Sequence, residues 1–288
     1  MTKFKFEREH MPPYHQLRSA CGITAVLMLI RPNEDKFISS ILHKIGNKLW
    51  KSYASLGTLI KDKNSMHQVA LAYLLLKLAL NEEVQELLDG FNKDDYEYTQ
   101  EVVWYEMKRR LTRGSHKKAK FLEEQLEKFQ EKGEISKGLL KEYATRIKTD
   151  RELKLLLAAF GYKVVPFPYS PDGTASINFG LVDHIVESGI IKDDDINNPK
   201  GLLLYMFSFL KEHFQDHIVL INTGFHWISA KKIIGDDEEK RMTLLYMDPS
   251  HPSKPRKLSF INTKQNIYFF KQDDKLKAIM KEFLEKIL

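Results

Sequence analysis

The sequence predicts an α+β protein, mostly helical in its first half and mostly antiparallel β in its second. Two observations carry that prediction. Residues 35–160 place apolar side chains at three- and four-residue spacing almost throughout. Residues 217–247 hold three short apolar runs of strand length, separated by turn-forming residues. Helices grouped before strands, rather than alternating with them, argue against βαβ units. At 288 residues and 43% hydrophobic, the chain can bury a large core.

Taken in order, the N-terminus MTKFKFEREHMPP has no apolar h-region and predicts no secretory signal. An apolar, helix-like run, CGITAVLMLI, follows and is broken at Pro32-Asn33. KFISSILHKIGNKLW, SMHQVALAYLLLKLAL, EEVQELLDGF, YTQEVVWYEMKRRL, KKAKFLEEQLEKFQEK and SKGLLKEYATRIKTDRELKLLLAAF each read as a helix. Gly90, Gly114, Gly133 and Gly161 lie near their ends as punctuation. YKVVPF (162–167) reads as a strand and YSPDGTASINFG as an exposed loop. GLLLYMFSFLKEHF (201–214) is helical again. HIVLIN (217–222), FHWISAKKII (225–234) and RMTLLYM (241–247) are successive strands, with LSFIN and IYFF as two more. DKLKAIMKEFLEKIL closes the chain as a helix. The expected division is 1–32 around the first apolar helix, 33–160 as a helical lobe, and 161–288 as a β-rich lobe with a C-terminal helix.

Composition removes several classes. Charged residues make up 29%, too little with this hydrophobicity for a disordered chain. ITAVLMLI and LAYLLL fall well short of a membrane span. One cysteine suits a reducing compartment, so a cytoplasmic protein is expected. No P-loop, GxGxxG, HExxH or CxxC occurs, and no cofactor or metal site is expected. Asp193-Asp194-Asp195 lacks the alternating spacing of a calcium loop and reads as a solvated turn. Net charge is +6, concentrated in Lys108–Lys120, with seven Lys or Arg residues, His116 and no acid. That run is either a solvated face or a docking patch for an acidic partner, a nucleic acid or an anionic membrane surface. Sparse aromatic interleaving weighs against nucleic acid.

Cys21 is the only cysteine, so it is either a nucleophile or a packed core sulfur. Ser19 is placed to cap the following helix, putting the sulfur at a helix N-terminus where the dipole favours thiolate. Gln16, a turn's length earlier, can offer its amide beside the Cys21 N–H as an oxyanion hole. His226, in Gly-Phe-His-Trp on one predicted strand, and Asp248, in Asp-Pro-Ser at the end of the next, flank the connection GDDEEK (235–240). Folding the hairpin about its midpoint places His226 opposite Pro249, and a register shift of one makes His226 and Asp248 neighbours. Trp227 then points to the opposite face and is expected in the core. His15 is the alternative base, close in sequence but without the required angle.

The order Gln-x4-Cys-Gly opening a helix, a strand with Gly-x-His-Trp, and a strand ending in Asp-Pro resembles the papain-like cysteine peptidase superfamily. Its bacteriocin-processing (double-glycine) peptidase-like branch is the nearest in kind. The likeness covers residues 12–32 and 160–262. It implies a papain-like fold in which 33–160 is a large helical insertion, with Cys21 as nucleophile, His226 as general base, Asp248 as its orienting acid and Gln16 as oxyanion donor. It further implies a thiol hydrolase acting on a peptide or isopeptide bond of a peptide or protein substrate. An acyl or peptidyl transferase using the same triad is a second reading. A non-catalytic protein docking an acidic partner through Lys108–Lys120 is a third.

Overall fold

The structure is a computed structural model and describes residues 3–30, 35–52, 60–79, 81–92, 108–109, 116–147, 150–164, 174–176, 211–224, 226–236, 241–258 and 266–288. Most of the expected helix at 98–111 and of 201–214, the strand LSFIN after Leu258, Gly114, Asp193–Asp195 and residues 110–115 of the basic run lie outside these residues.

Short β1 (Lys3–Glu7) is followed by helices α1 (Cys21–Ile30), α2 (Lys36–Ser52), α3 (Lys63–Ala79), α4 (Glu82–Asn92), α5 (His116–Lys132), α6 (Lys137–Ala144) and α7 (Asp150–Ala159). Strands β2 (Tyr162–Val164), β3 (Thr174–Ser176), β4 (His217–Asn222), β5 (Trp227–Asp236), β6 (Arg241–Asp248), β7 (His251–Lys257) and β8 (Asn266–Gln272) come next, then α8 (Asp274–Ile287). Helix and antiparallel sheet are thus segregated along the chain.

The sheet runs β2-β8-β4-β5-β6-β7, with every pair antiparallel. β1 pairs with the far half of β5, and β3 with the start of β8. Helix α1 is buried along its whole length, as an all-apolar helix must be. It lies against β5, where the Ser229 hydroxyl donates to the Ala25 carbonyl at 2.8 Å, and α3 and α7 cover it from the helical layer. One hydrophobic core runs through all of these, from Leu27 and Leu74 to Phe270 and Met280.

Four local details depart from the sequence reading. Residues 136–160 form two helices rather than one, with Ser136 capping α6 and Thr145 ending it at φ −97° and ψ 5°. Thr145 has weak helix propensity, and Asp150 supplies the acid favoured in a new first turn. Part of the expected loop at 169–180 forms β3. Alternating KFKFE forms β1 through its period-two pattern. HPSKPRK forms β7 despite two prolines, because an edge strand tolerates a missing N–H.

The β5–β6 hairpin pairs Asp236 with Arg241, one residue later than its sequence midpoint suggests. A bulge then leaves Lys231 unpaired: Lys232 faces Leu245 and Ala230 faces Tyr246. The bulge carbonyl is not wasted, since Lys231 O accepts the Arg8 N–H at 2.9 Å. Among the described residues, no helix is long and apolar enough to cross a membrane.

Candidate active site

Cys21 is the first residue of α1 and is buried. Ser19, the expected cap, lies one residue too early: its N–H donates to Thr145 O at 3.2 Å, and Ala20 occupies the N-cap. Ala20 has no side-chain oxygen to offer the helix. The first N–H groups, which lack intrahelical acceptors, are therefore left for other partners. Gly22 N–H takes the Cys21 sulfur, together with Trp227 N–H from β5 and the His226 ring.

Burial pushes the Cys21 thiol up. The His226 bond, the Trp227 and Gly22 N–H groups and the His226 charge outweigh burial, so the thiol sits below its ordinary value. The sulfur in turn is the largest influence on His226. With help from Asp248 it overcomes burial and raises the imidazole. Both shifts favour a thiolate beside an imidazolium.

The turn between β4 and β5 sets the ring. Asn222 Oδ1 accepts Gly224 N–H at 2.8 Å, and Gly224 adopts φ 91°, which glycine tolerates. Thr223 then donates its N–H and hydroxyl to His226 O at 2.9 and 3.1 Å. His226 Nε2–H donates to Asp248 Oδ1 at 2.7 Å, which leaves Nδ1 for the sulfur.

Asp248 ends β6 and is nearly buried. Its Oδ1 also accepts Ser250 N–H at 2.8 Å, and its Oδ2 faces Arg256 Nη1 at 3.4 Å and His251 Nδ1 at 3.6 Å. Burial raises the carboxyl, and the His226 bond, the Ser250 N–H and Arg256 hold it below the usual range.

The structure also brings Gln16 to this corner. Its backbone N–H donates to Pro249 O at 3.0 Å, and its side-chain Nε2 donates to Arg18 O at 2.6 Å. Gln16 Oε1 is buried without a hydrogen-bond partner. Arg18 adopts φ 49°, so the backbone between Gln16 and Cys21 doubles back through a left-handed residue. The other sequence candidates separate cleanly. His226, not His15, bonds the sulfur, and Trp227 is 2% exposed and packs on Tyr268 with ring centroids 5.4 Å apart.

Three contributors were invisible beforehand. The Trp227 N–H carries no side-chain signature. Arg256 lies on β7, which the prolines disguised. Gln68 of α3 hydrogen-bonds the segment before Cys21 from about fifty residues away. In the basic run, Lys108 Nζ pairs with Glu123 of α5 at 3.2 Å, which fits a solvated face neutralised from within.

The glycine of Cys-Gly has a steric cause. A Cβ on Gly22 would meet Leu153 Cδ1 at 3.0 Å and Ile147 O at 3.2 Å, so the break between α6 and α7 seats directly on the start of α1. Among the described residues, no three His, Cys, Asp or Glu side chains gather as a metal site needs. The arrangement can present a thiolate to an electrophilic carbon and return a proton to a leaving group. No protein-family model, curated protein or solved structure matches the chain.

Proposed function

We propose that the protein is a thiol hydrolase of papain-like type that cleaves a peptide or isopeptide bond through Cys21, His226 and Asp248. One observation carries the reading: His226 joins the Cys21 sulfur to Asp248, whose Oδ1 lies 2.7 Å from Nε2. A packed core cysteine needs no imidazole, and a structural histidine needs no sulfur at a helix N-terminus. A buried helix laid against an antiparallel sheet, with base and acid on adjacent strands, supports the papain-like architecture.

In this mechanism the Cys21 thiolate adds to the carbonyl carbon, forming the S–C bond while the carbonyl electrons move to oxygen. The Cys21 N–H, which has no intrahelical acceptor, and the Gln16 amide receive that oxyanion. Collapse breaks the C–N bond, and the imidazolium of His226 gives its Nδ1 proton to the departing amine. His226 then takes a proton from water, the hydroxide attacks the thioester, and the thiol leaves with the acid product. Asp248 remains a carboxylate throughout and holds Nε2–H.

The test is the reactivity of the single thiol towards iodoacetamide, read by intact mass. Fast labelling near pH 6, where an ordinary thiol of pKa about 8.5 is almost wholly protonated, is expected of the native protein. In His226→Ala the acid limb should move into the alkaline range, because burial remains and its main opponent is gone. Labelling of the native protein only at alkaline pH sinks the proposal and leaves Cys21 as an inert core residue.

A further inference from the structure

Gln68 sits in α3, a helix that contributes no member of the triad, and it is fully buried. A buried amide costs free energy unless it is hydrogen-bonded, and a leucine or methionine would fill the same space without that demand. Gln68 meets the demand at both ends of its amide. Its Oε1 accepts the Leu17 N–H at 2.9 Å and lies 2.9 Å from the Thr24 hydroxyl. Its Nε2 donates to His15 O at 2.7 Å and lies 3.4 Å from Asn64 O in its own helix. The two strong backbone bonds therefore go to the residues immediately before and after Gln16. Thr24 is on α1, just beyond the first turn from Cys21, and also donates to Ala20 O at 2.8 Å.

The two residues bracketing Gln16 are thus clamped by one side chain, while Gln16 itself is tied to Pro249 O. Three consecutive residues are fixed through their backbones. The middle side chain, whose Nε2 donates to Arg18 O at 2.6 Å, stands on that fixed backbone beside the start of the helix that carries the sulfur. A side-chain amide cannot stabilise an oxyanion unless its backbone is held to within a fraction of an ångström. We infer that Gln68 is a positioning residue, which clamps the 15–17 segment from α3 so that the Gln16 amide and the Cys21 N–H form one oxyanion site. This rests on the thiol-hydrolase reading and gives the helical lobe a part in it: the lobe sets the oxyanion side of the centre, and the sheet sets the base and the acid.

Two reagents separate the two sides. Iodoacetamide is attacked at a saturated carbon, iodide leaves as the S–C bond forms, and no oxyanion develops. p-Nitrophenyl acetate is attacked at its carbonyl. The oxyanion forms and collapses with loss of p-nitrophenolate, leaving an acetyl thioester on Cys21. Gln68→Met should keep the iodoacetamide rate near pH 6 within about twofold, because the partners of the sulfur are untouched. Its acylation by p-nitrophenyl acetate should fall by about tenfold or more, a part of the loss that follows removal of an oxyanion donor.

Val69→Ala, a neighbouring core truncation in α3, controls for stability alone and should leave the ratio of the two rates unchanged. Equal falls of both rates in Gln68→Met, or unaltered acylation, overturn the inference. Absence of fast iodoacetamide labelling in the native protein overturns instead the hydrolase reading beneath it. Should Gln68→Met fail to fold, hydrogen exchange on the native protein decides the clamp. The Leu17 amide should be protected as strongly as core helix amides, and rapid exchange there overturns the inference.

Discussion

The Gln16 N–H donates to the Pro249 carbonyl at 3.0 Å, so the loop that precedes Cys21 is tied to the turn that follows Asp248. These two points are more than two hundred residues apart in the chain. Their bond closes the corner in which Cys21, His226 and Asp248 meet, and it makes the geometry of the thiol depend on the end of β6. Two substitutions test that corner, and a third tests a buried histidine beside Tyr14.

Asp248→Asn keeps the size of the side chain and removes the charge that fixes Nε2–H. The amide can present its N–H to the ring instead, which selects the opposite tautomer and loads Nδ1 with the proton in the neutral form. The native carboxyl sits below its ordinary range, so it is ionised throughout the neutral region and its influence on His226 is constant there. Removing it should lower the imidazole, narrow the pH window of the ion pair from the alkaline side, and reduce turnover by about 10²-fold or more. Rates measured against pH on any confirmed substrate check this, and an unchanged profile would refute the orienting role of Asp248.

Gly22→Ala should perturb the site through packing alone. The added methyl meets Leu153 Cδ1 and Ile147 O at 3.0 and 3.2 Å. The carbonyl belongs to the connection between α6 and α7 and cannot yield as a side-chain end can. Overpacking of this kind costs about 1–3 kcal/mol. Urea denaturation should show that loss, and iodoacetamide labelling near pH 6 should slow with it, because Gly22 N–H is one of the sulfur's donors.

His67→Phe should flatten the acid side of the stability curve. His67 is buried beside Tyr14, with Nδ1 3.3 Å from its hydroxyl, and burial, aided by the charge of Lys63, pushes the imidazole down to about 4. The unfolded chain, with an ordinary histidine near 6.5, binds the proton more readily. Stability therefore falls as pH drops from about 6.5 towards about 4, by up to about 3 kcal/mol, and is unaffected by this group above that window. Denaturation midpoints at pH 7 and pH 4.5 should differ by less in His67→Phe than in the native protein. An equal difference in both would assign the acid sensitivity elsewhere.

The clustering of Cys21, His226 and Asp248 was legible because these residue types stand out: a single cysteine, a histidine on an apolar strand and an aspartate before a proline. Helices such as Lys36–Ser52 and His116–Lys132 were equally readable, since long amphipathic periods average out local exceptions. What escaped was decided by tertiary partners. The split at Thr145 gains its sense from Ser19 N–H and Gly22, which lie far away in the chain. β7 is a strand only because β6 offers it a ladder. Gln68 looked like one more polar residue in a helix, and nothing in its neighbours announces the loop it holds.

The unpaired Lys231 is a matter of odd and even. Side chains alternate along a strand, so one uncompensated residue exchanges the two faces of everything beyond it. With the bulge, the ladder that sets Ser229 opposite Met247 puts Asp248 on the same face as His226. Continue the regular pairing of Asp236 with Arg241 without the bulge, and Asp248 falls opposite Ser229, on the face of Trp227, with its carboxylate turned into the core. A ladder that paired Lys231 with Tyr246 would therefore take the acid from the imidazole while leaving every site residue in the chain, whereas deleting Lys231 keeps Ala230 opposite Tyr246 and Asp248 beside His226.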